Sequence, residues 1–188
     1  MRPRPGEVLH FSEDPEIQRF VPHVAATAQQ PEAYVWAVDA ARAPDYWFPR
    51  QCPRGMAWVE PGRTAEADRE RIIGPGGGTR VHAIEYGWLE RLRTVELYAY
   101  RFDAAGFRPF GVHRNAHVAT RPVRPLGPPE PVGDLLELHR AAGIQLRVLP
   151  ELWDFWDAVT ASTLGFSGIR LRNARPRPPG AAPPPAPG

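Results

Sequence analysis

Proline divides this chain into short segments, and that limits what it can build. There are 24 prolines, and many fall where a segment must end. Pro22 closes an early segment, because the residue before proline avoids helical backbone. Ala43-Pro44 breaks a short turn, Pro49 and Pro53 fix a loop, residues 122–131 are Pro-rich, and Pro150 opens a helix in its first turn, where proline is tolerated. No apolar run approaches the ~18 residues of a membrane span.

The first segment is Glu-Val-Leu-His-Phe-Ser-Glu, residues 7–13. Val8, Leu9 and Phe11 favour a strand, and His10, Ser12 and Glu13 place polar groups at its end. Asp14-Pro15-Glu16 reads as a helix start, with Asp14 as N-cap and proline at the first helical position. The spacing predicts a short helix over 15–20, with Ile17 and Phe20 on one face. Residues 33–38 run apolar on both faces, which suits the middle of a sheet. Asp39 caps a turn over 40–42.

Further strands are predicted at 56–59, 80–86, 95–102 and 117–121, with Phe107–Phe110 following a turn. Residues 64–73 read as an exposed helix and 87–93 as a helical turn. Gly74–Gly78 lacks the Lys-Ser/Thr of a phosphate loop and reads as a surface loop. The Pro-rich stretch 122–131 is a connector. Asp134 and Glu137 fit a capping box, with Gly143 as the helix stop. Ile144–Leu149 alternates as a strand. From Pro150, residues Leu152, Phe155, Trp156 and Val159 form one helical face. Phe166–Asn173 closes as a strand.

These elements do not repeat as βαβ units. The expected fold is α+β, a single domain with a largely antiparallel or mixed sheet, short helices and a Pro-rich C-terminal tail. The expected bounds are a flexible N-terminus over 1–6, a globular domain over 7–175 and a disordered Pro/Ala/Gly tail over 176–188.

Composition excludes some functions. All 23 basic residues are Arg, yet the net charge is only +2, and acids lie among the arginines. A dedicated nucleic-acid binder would concentrate its basic residues on one face. The all-Arg usage fits the codon bias of a GC-rich bacterial genome. Cys52 is the one cysteine, so no internal disulfide forms and a cytoplasmic location is expected. Arg2 and Arg4 have no apolar stretch behind them, so no signal peptide is read there.

Candidate chemistry falls in four places. His10, Ser12 and Glu13 gather at one strand end as the catalytic candidates. The loop Pro49–Arg54 holds a backbone that presents Arg50 and Arg54, and arginine suits bidentate binding of phosphate or carboxylate. Arg147 lies on the polar side of one later strand, and Arg170 and Arg172 lie on the polar side of another, just after Ser167. Were those strands neighbours of the first, one cleft would hold them all. Trp36 and Tyr46 supply rings for stacking. Each group also has a structural reading: a core histidine, ion pairs with Glu13, Glu137 or Asp154, and a rigid corner. Cys52, between two arginines, reads as a small packed hydrophobe. His113 and His117 are four apart but sit in a turn into a strand, with no Cys and no Glu-x-x-His nearby, so no metal is expected.

Two resemblances follow from these residues. The pattern Leu9-His10-Phe11-Ser12-Glu13, Val35-Trp36-Ala37-Val38-Asp39, Pro49-Arg50-x-Cys52-Pro53-Arg54 and Phe166-Ser167-x-Ile169-Arg170-Leu171-Arg172-Asn173 resembles a bacterial family of unknown function over nearly the whole chain except the tail. The start of the chain also resembles the ADP-ribosyltransferase-like fold. That resemblance implies that His10 holds the ribose of NAD, that Tyr34 or Trp36 stands on the second strand, and that a later Glu activates the acceptor, with Glu130 as its candidate. The leading expectation is a small enzyme binding NAD or another nucleotide. His10 and Ser12 would meet ribose hydroxyls, Trp36 or Tyr46 a ring, and Arg54, Arg147 or Arg170 a phosphate. The alternative is a non-catalytic binding or interaction protein whose polar cluster is structural and whose Pro-rich tail is a linker or partner ligand.

Overall fold

A computed structural model describes residues 1–24, 32–111 and 116–177. Its elements run β1 (Glu7–Ser12), β2 (Val35–Ala37), β3 (Arg54–Trp58), α1 (Glu66–Asp68), β4 (Arg80–Glu85), α2 (Leu89–Thr94), β5 (Tyr98–Asp103), β6 (Arg108–Phe110), β7 (Ala116–Ala119), β8 (Glu130–Pro131), α3 (Leu135–Ala141), β9 (Gln145–Leu149), α4 (Trp153–Thr160) and β10 (Gly165–Ile169). The strands form three sheets, ordered β1-β5-β8, β10-β3-β4-β9 and β2-β7-β6. β4 and β9 pair parallel; the other ladders are antiparallel. The fold is α+β with short helices, as the sequence predicts. None of the described helices is long and apolar enough to cross a membrane.

Contacts divide the chain into two compact units, each made of two stretches of sequence. The first joins Met1–Arg50 with Val95–Gly133, and the second joins Gln51–Thr94 with Asp134–Gly188.

In the first unit, β1 pairs with β5 along its whole length, with His10 opposite Tyr100 and Ser12 opposite Tyr98. On its other side Leu9 exchanges backbone hydrogen bonds with Val38, at 2.9 and 2.8 Å. The apolar run around β2 is therefore flanked by β1 and β7, as a two-faced apolar strand requires. Alternation puts Val8 on one face with Tyr100 and Phe102. Val35, Ala37, Ala119 and Phe20 complete that core. Phe20 lies edge-on to Tyr100 and to Phe102, each at 5.0 Å. Burying such a ring contributes about 1.5–3 kcal/mol.

The expected helix over 15–20 does not form, because distant groups claim its backbone. The Asp14 carboxylate accepts from the Glu16 amide. The Tyr100 hydroxyl donates to the Asp14 carbonyl at 2.7 Å and accepts from the Ile17 amide at 3.1 Å. Phe20 pairs with Val123 in extended backbone. The Pro-rich stretch 122–131 is correspondingly more than a connector, since it supplies Val123 and β8.

In the second unit, β3 and β4 lie at the centre of a four-stranded sheet. α4 covers the face that carries Ala57 and Val81, joined there by Ile72, Ile73, Val159 and Leu164. Two glycines admit it. A Cβ at Gly55 would meet the Phe155 ring at 3.2 Å, and one at Gly168 would meet Trp156 at 2.7 Å. α3 reaches the opposite face, where His139 meets His82 of β4. Asp134 caps α3 as predicted, accepting from the Leu136 and Glu137 amides. The predicted helix over 64–73 becomes α1 followed by a wider turn over Arg69–Ile73, which buries Ile72 and Ile73. β10 stops at Ile169, short of the predicted Asn173. Arg170 takes left-handed backbone, φ 56°, and Leu171–Asn173 form a turn. Arg177 pairs with Asp157. Residues 178–188 lie outside the described residues.

Candidate functional site

The backbone bonds between Leu9 and Val38 bring β2 alongside His10. His10 Nδ1 lies 2.8 Å from the Trp36 carbonyl oxygen. A carbonyl only accepts, so Nδ1 carries the proton and Nε2 is left as an acceptor. The Phe20 ring packs against the imidazole at 4.9 Å. Burial pushes the imidazole down to about 4, and the positive charges of Arg50 and His23 push the same way. His10 is therefore neutral at pH 7, half-buried, with one nitrogen fixed.

Ser12 and Glu13 serve the backbone. Ser12 is buried, and its Oγ accepts from the Asp14 amide at 3.1 Å. Glu13 accepts from the Arg50 amide at 2.8 Å, which ties the end of β1 to the start of the Pro49–Arg54 loop. The Arg50 side chain is exposed. Tyr46 is half-buried at the end of a 3₁₀ turn over Ala43–Tyr46.

Trp36 sits in an aromatic group. Tyr34 meets it edge-on at 5.8 Å and Phe110 at 5.3 Å. The Arg108 guanidinium covers Tyr34 and Phe110 at 5.5 and 5.6 Å. The Trp36 indole nitrogen is buried with no hydrogen-bond partner among the described residues.

Glu130 is held elsewhere. Arg101 donates to both its oxygens, at 2.7 and 2.9 Å, and also to Glu7 at 2.8 Å. The guanidinium keeps the Glu130 carboxyl below its usual range. His117 Nε2 lies 3.7 Å from Asp39. His113 falls outside the described residues, and among the described residues no group of three ligating side chains is placed to hold a metal.

The remaining candidates belong to the second unit. Arg54 is not presented by its loop. It opens β3, is 2% exposed, and donates to the Cys52 carbonyl at 2.9 Å. Burial pushes the Cys52 thiol up to about 12, against the opposing effect of Arg54, so it stays protonated and inert. Arg147 donates to the Ile73 carbonyl at 2.8 Å and to Gln145 at 3.1 Å, tying the turn before β4 to β9. Ser167 is half-buried opposite Met56. Arg170 is half-buried where β10 turns. His10, Ser12, Glu13, Trp36, Tyr46 and Arg50 thus lie in one unit, and Arg54, Arg147, Ser167 and Arg170 in the other.

The second unit also holds a polar chain that the sequence did not signal. Arg80 Nε donates to His82 Nε2 at 3.0 Å. His82 Nδ1 lies 3.0 Å from His139 Nε2, and His139 Nδ1 lies 2.7 Å from the Leu135 carbonyl. The carbonyl fixes a proton on His139 Nδ1, so His139 Nε2 accepts from His82 Nδ1–H. Both rings are neutral and both are buried. Burial pushes His139 down to about 4, and His82, Arg54 and Arg80 add to it. No local spacing could reveal this pair, because one histidine lies on a strand and the other on a helix far along the chain.

Residues 9–174 match the family of unknown function DUF6886, and the chain belongs to that family. No curated protein and no solved structure matches it.

Proposed function

We propose that this DUF6886 protein binds a nucleotide-like ligand, NAD or another nucleotide, at the His10 end of β1. The observation that carries this reading is the bond from His10 Nδ1 to the Trp36 carbonyl. It holds a neutral imidazole in one tautomer with Nε2 as acceptor, which is what a ribose hydroxyl needs. One further group supports it. Arg50 is close enough for its charge to act on His10, and a guanidinium suits a phosphate. Ser12 and Glu13 contribute by holding the turn.

The reading stops at binding. A transfer step of the ADP-ribosyltransferase kind needs a free acid, and Arg101 occupies Glu130. The alternative, a non-catalytic protein whose polar cluster is structural, draws on Ser12 and Glu13, which both bond to backbone amides. Isothermal titration of the folded protein with NAD, ADP-ribose and AMP decides between the two. Saturable heat that His10→Ala abolishes supports the ligand site. Absence of heat with all three overturns it and leaves the structural reading.

A further inference from the structure

The second unit grips a stretch of its own chain in a way that resembles ligand recognition. Ala174 has φ −68° and ψ 162°, the polyproline II region, and proline follows at 176. The Arg175 amide donates to both oxygens of Glu85, at 3.0 and 3.2 Å. The Arg175 carbonyl accepts from the Trp153 indole at 2.7 Å. Both backbone polar groups of one residue are thus read by side chains. Two residues on, Arg177 lies over the Trp153 ring at 4.6 Å and makes a two-pronged pair with Asp157, at 2.6 and 2.9 Å.

A tryptophan and a carboxylate reading an arginine on an extended proline-bearing backbone is the physical basis of polyproline II recognition. Glu85 adds a second signal. It is 3% exposed, a buried carboxylate that meets a backbone amide. Burying that charge is costly without a donor, so the position selects for one. Glu151 and Asp154 act on Arg177 as well, so the groove is acidic.

We propose that Glu85, Trp153 and Asp157 form a recognition groove for an extended peptide bearing arginine and proline, occupied in cis by residues 174–177. The cis segment acts as a clip that a segment of the same chemistry, supplied by a partner, displaces. This site is independent of the His10 reading. The Arg177–Asp157 pair is only partly buried, so the clip is held modestly and is open to competition.

The test uses the full chain and a labelled synthetic peptide, Asn-Ala-Arg-Pro-Arg-Pro, read by fluorescence anisotropy. Arg177→Ala removes the cis anchor and should bind the peptide at least about tenfold more tightly than the parent chain, because the tethered competitor is weakened. Adding Asp157→Ala should reduce that binding about tenfold or more. A folded Arg177→Ala protein that ignores the peptide at millimolar concentration overturns the proposal, as does binding that Asp157→Ala leaves unchanged. Should Arg177→Ala fail to fold, hydrogen exchange at the Arg175 amide of the parent chain decides. Faster exchange with excess peptide supports displacement, and unchanged exchange overturns it.

Discussion

His82 Nδ1 lies 3.0 Å from His139 Nε2, and the proton between them belongs to His82. The Leu135 carbonyl sets this order from one end and Arg80 from the other. A proton added to either ring would break the sequence of donors and acceptors. It would also place a charge inside the unit beside Arg80 and the buried Arg54.

That arrangement predicts acid sensitivity. His139 titrates near 4 in the folded chain, below the ordinary 6.5, so the unfolded chain binds more protons between those values. Its contribution is fully present above about pH 6.5 and is lost as pH falls towards 4, a change of roughly 3 kcal/mol. His10 is depressed to about 4 as well and acts in the same direction. Urea unfolding at pH 7.5 and pH 5 should show lower stability at pH 5. His139→Gln should flatten that slope while lowering stability at pH 7.5.

Arg101 joins Glu7 and Glu130 across three strands. Arg101→Ala should cost about 1–3 kcal/mol, since it leaves two half-buried carboxylates without their donor. Arg101→Lys should recover little, because an ammonium cannot make the same fork. Both carboxyls sit below their ordinary values in the folded chain, so their contribution is present above that range and is lost below it. Chemical denaturation of the parent and the variant at pH 7 and pH 4 should therefore show the gap closing in acid.

Gly168 is fixed by what lies against it. A Cβ there would stand 2.6 Å from Leu171 and 2.7 Å from Trp156. Gly168→Ala should lower stability by about 1–3 kcal/mol. Gly106→Ala makes the control, because a Cβ at Gly106 meets nothing within 4 Å. Thermal melts should show a drop for the first and almost none for the second.

His10 separates packing from binding. His10→Ala removes the bond to Trp36 and a ring against Phe20, and should cost about 1–3 kcal/mol. His10→Asn keeps a donor at the Nδ1 position but has no Nε2. It should recover part of the stability and none of the nucleotide binding, which calorimetry and titration would measure side by side.

Local signals carried much of the fold. α3 was legible because Asp134 caps it, and α4 because Leu152, Phe155, Trp156 and Val159 share a face. The run around Val35 declared a strand flanked on both sides. The failures share one cause, a partner far away in sequence. The segment 15–20 has helix-start residues, but the Tyr100 hydroxyl binds its backbone. Arg54 follows a proline and reads as loop, yet β3 begins there and buries it. The site was legible only in outline. His10 stood out as a polar group on an apolar strand, while its tautomer depends on a carbonyl from β2. His82 and His139 gave no signal until the fold joined them.

The interleaving of the two units also orders events during synthesis. β1 emerges early, but the strand that pairs along its length begins at Tyr98. By then β3, β4 and α2 have been made, and they still lack α3, β9, α4 and β10. A ribosome paused after Thr94 therefore carries neither unit complete, with open strand edges in both. Such a nascent chain is most exposed to misassembly in mid-translation, and fragments cut at residue 94 should behave as unfolded chains and not as half-proteins.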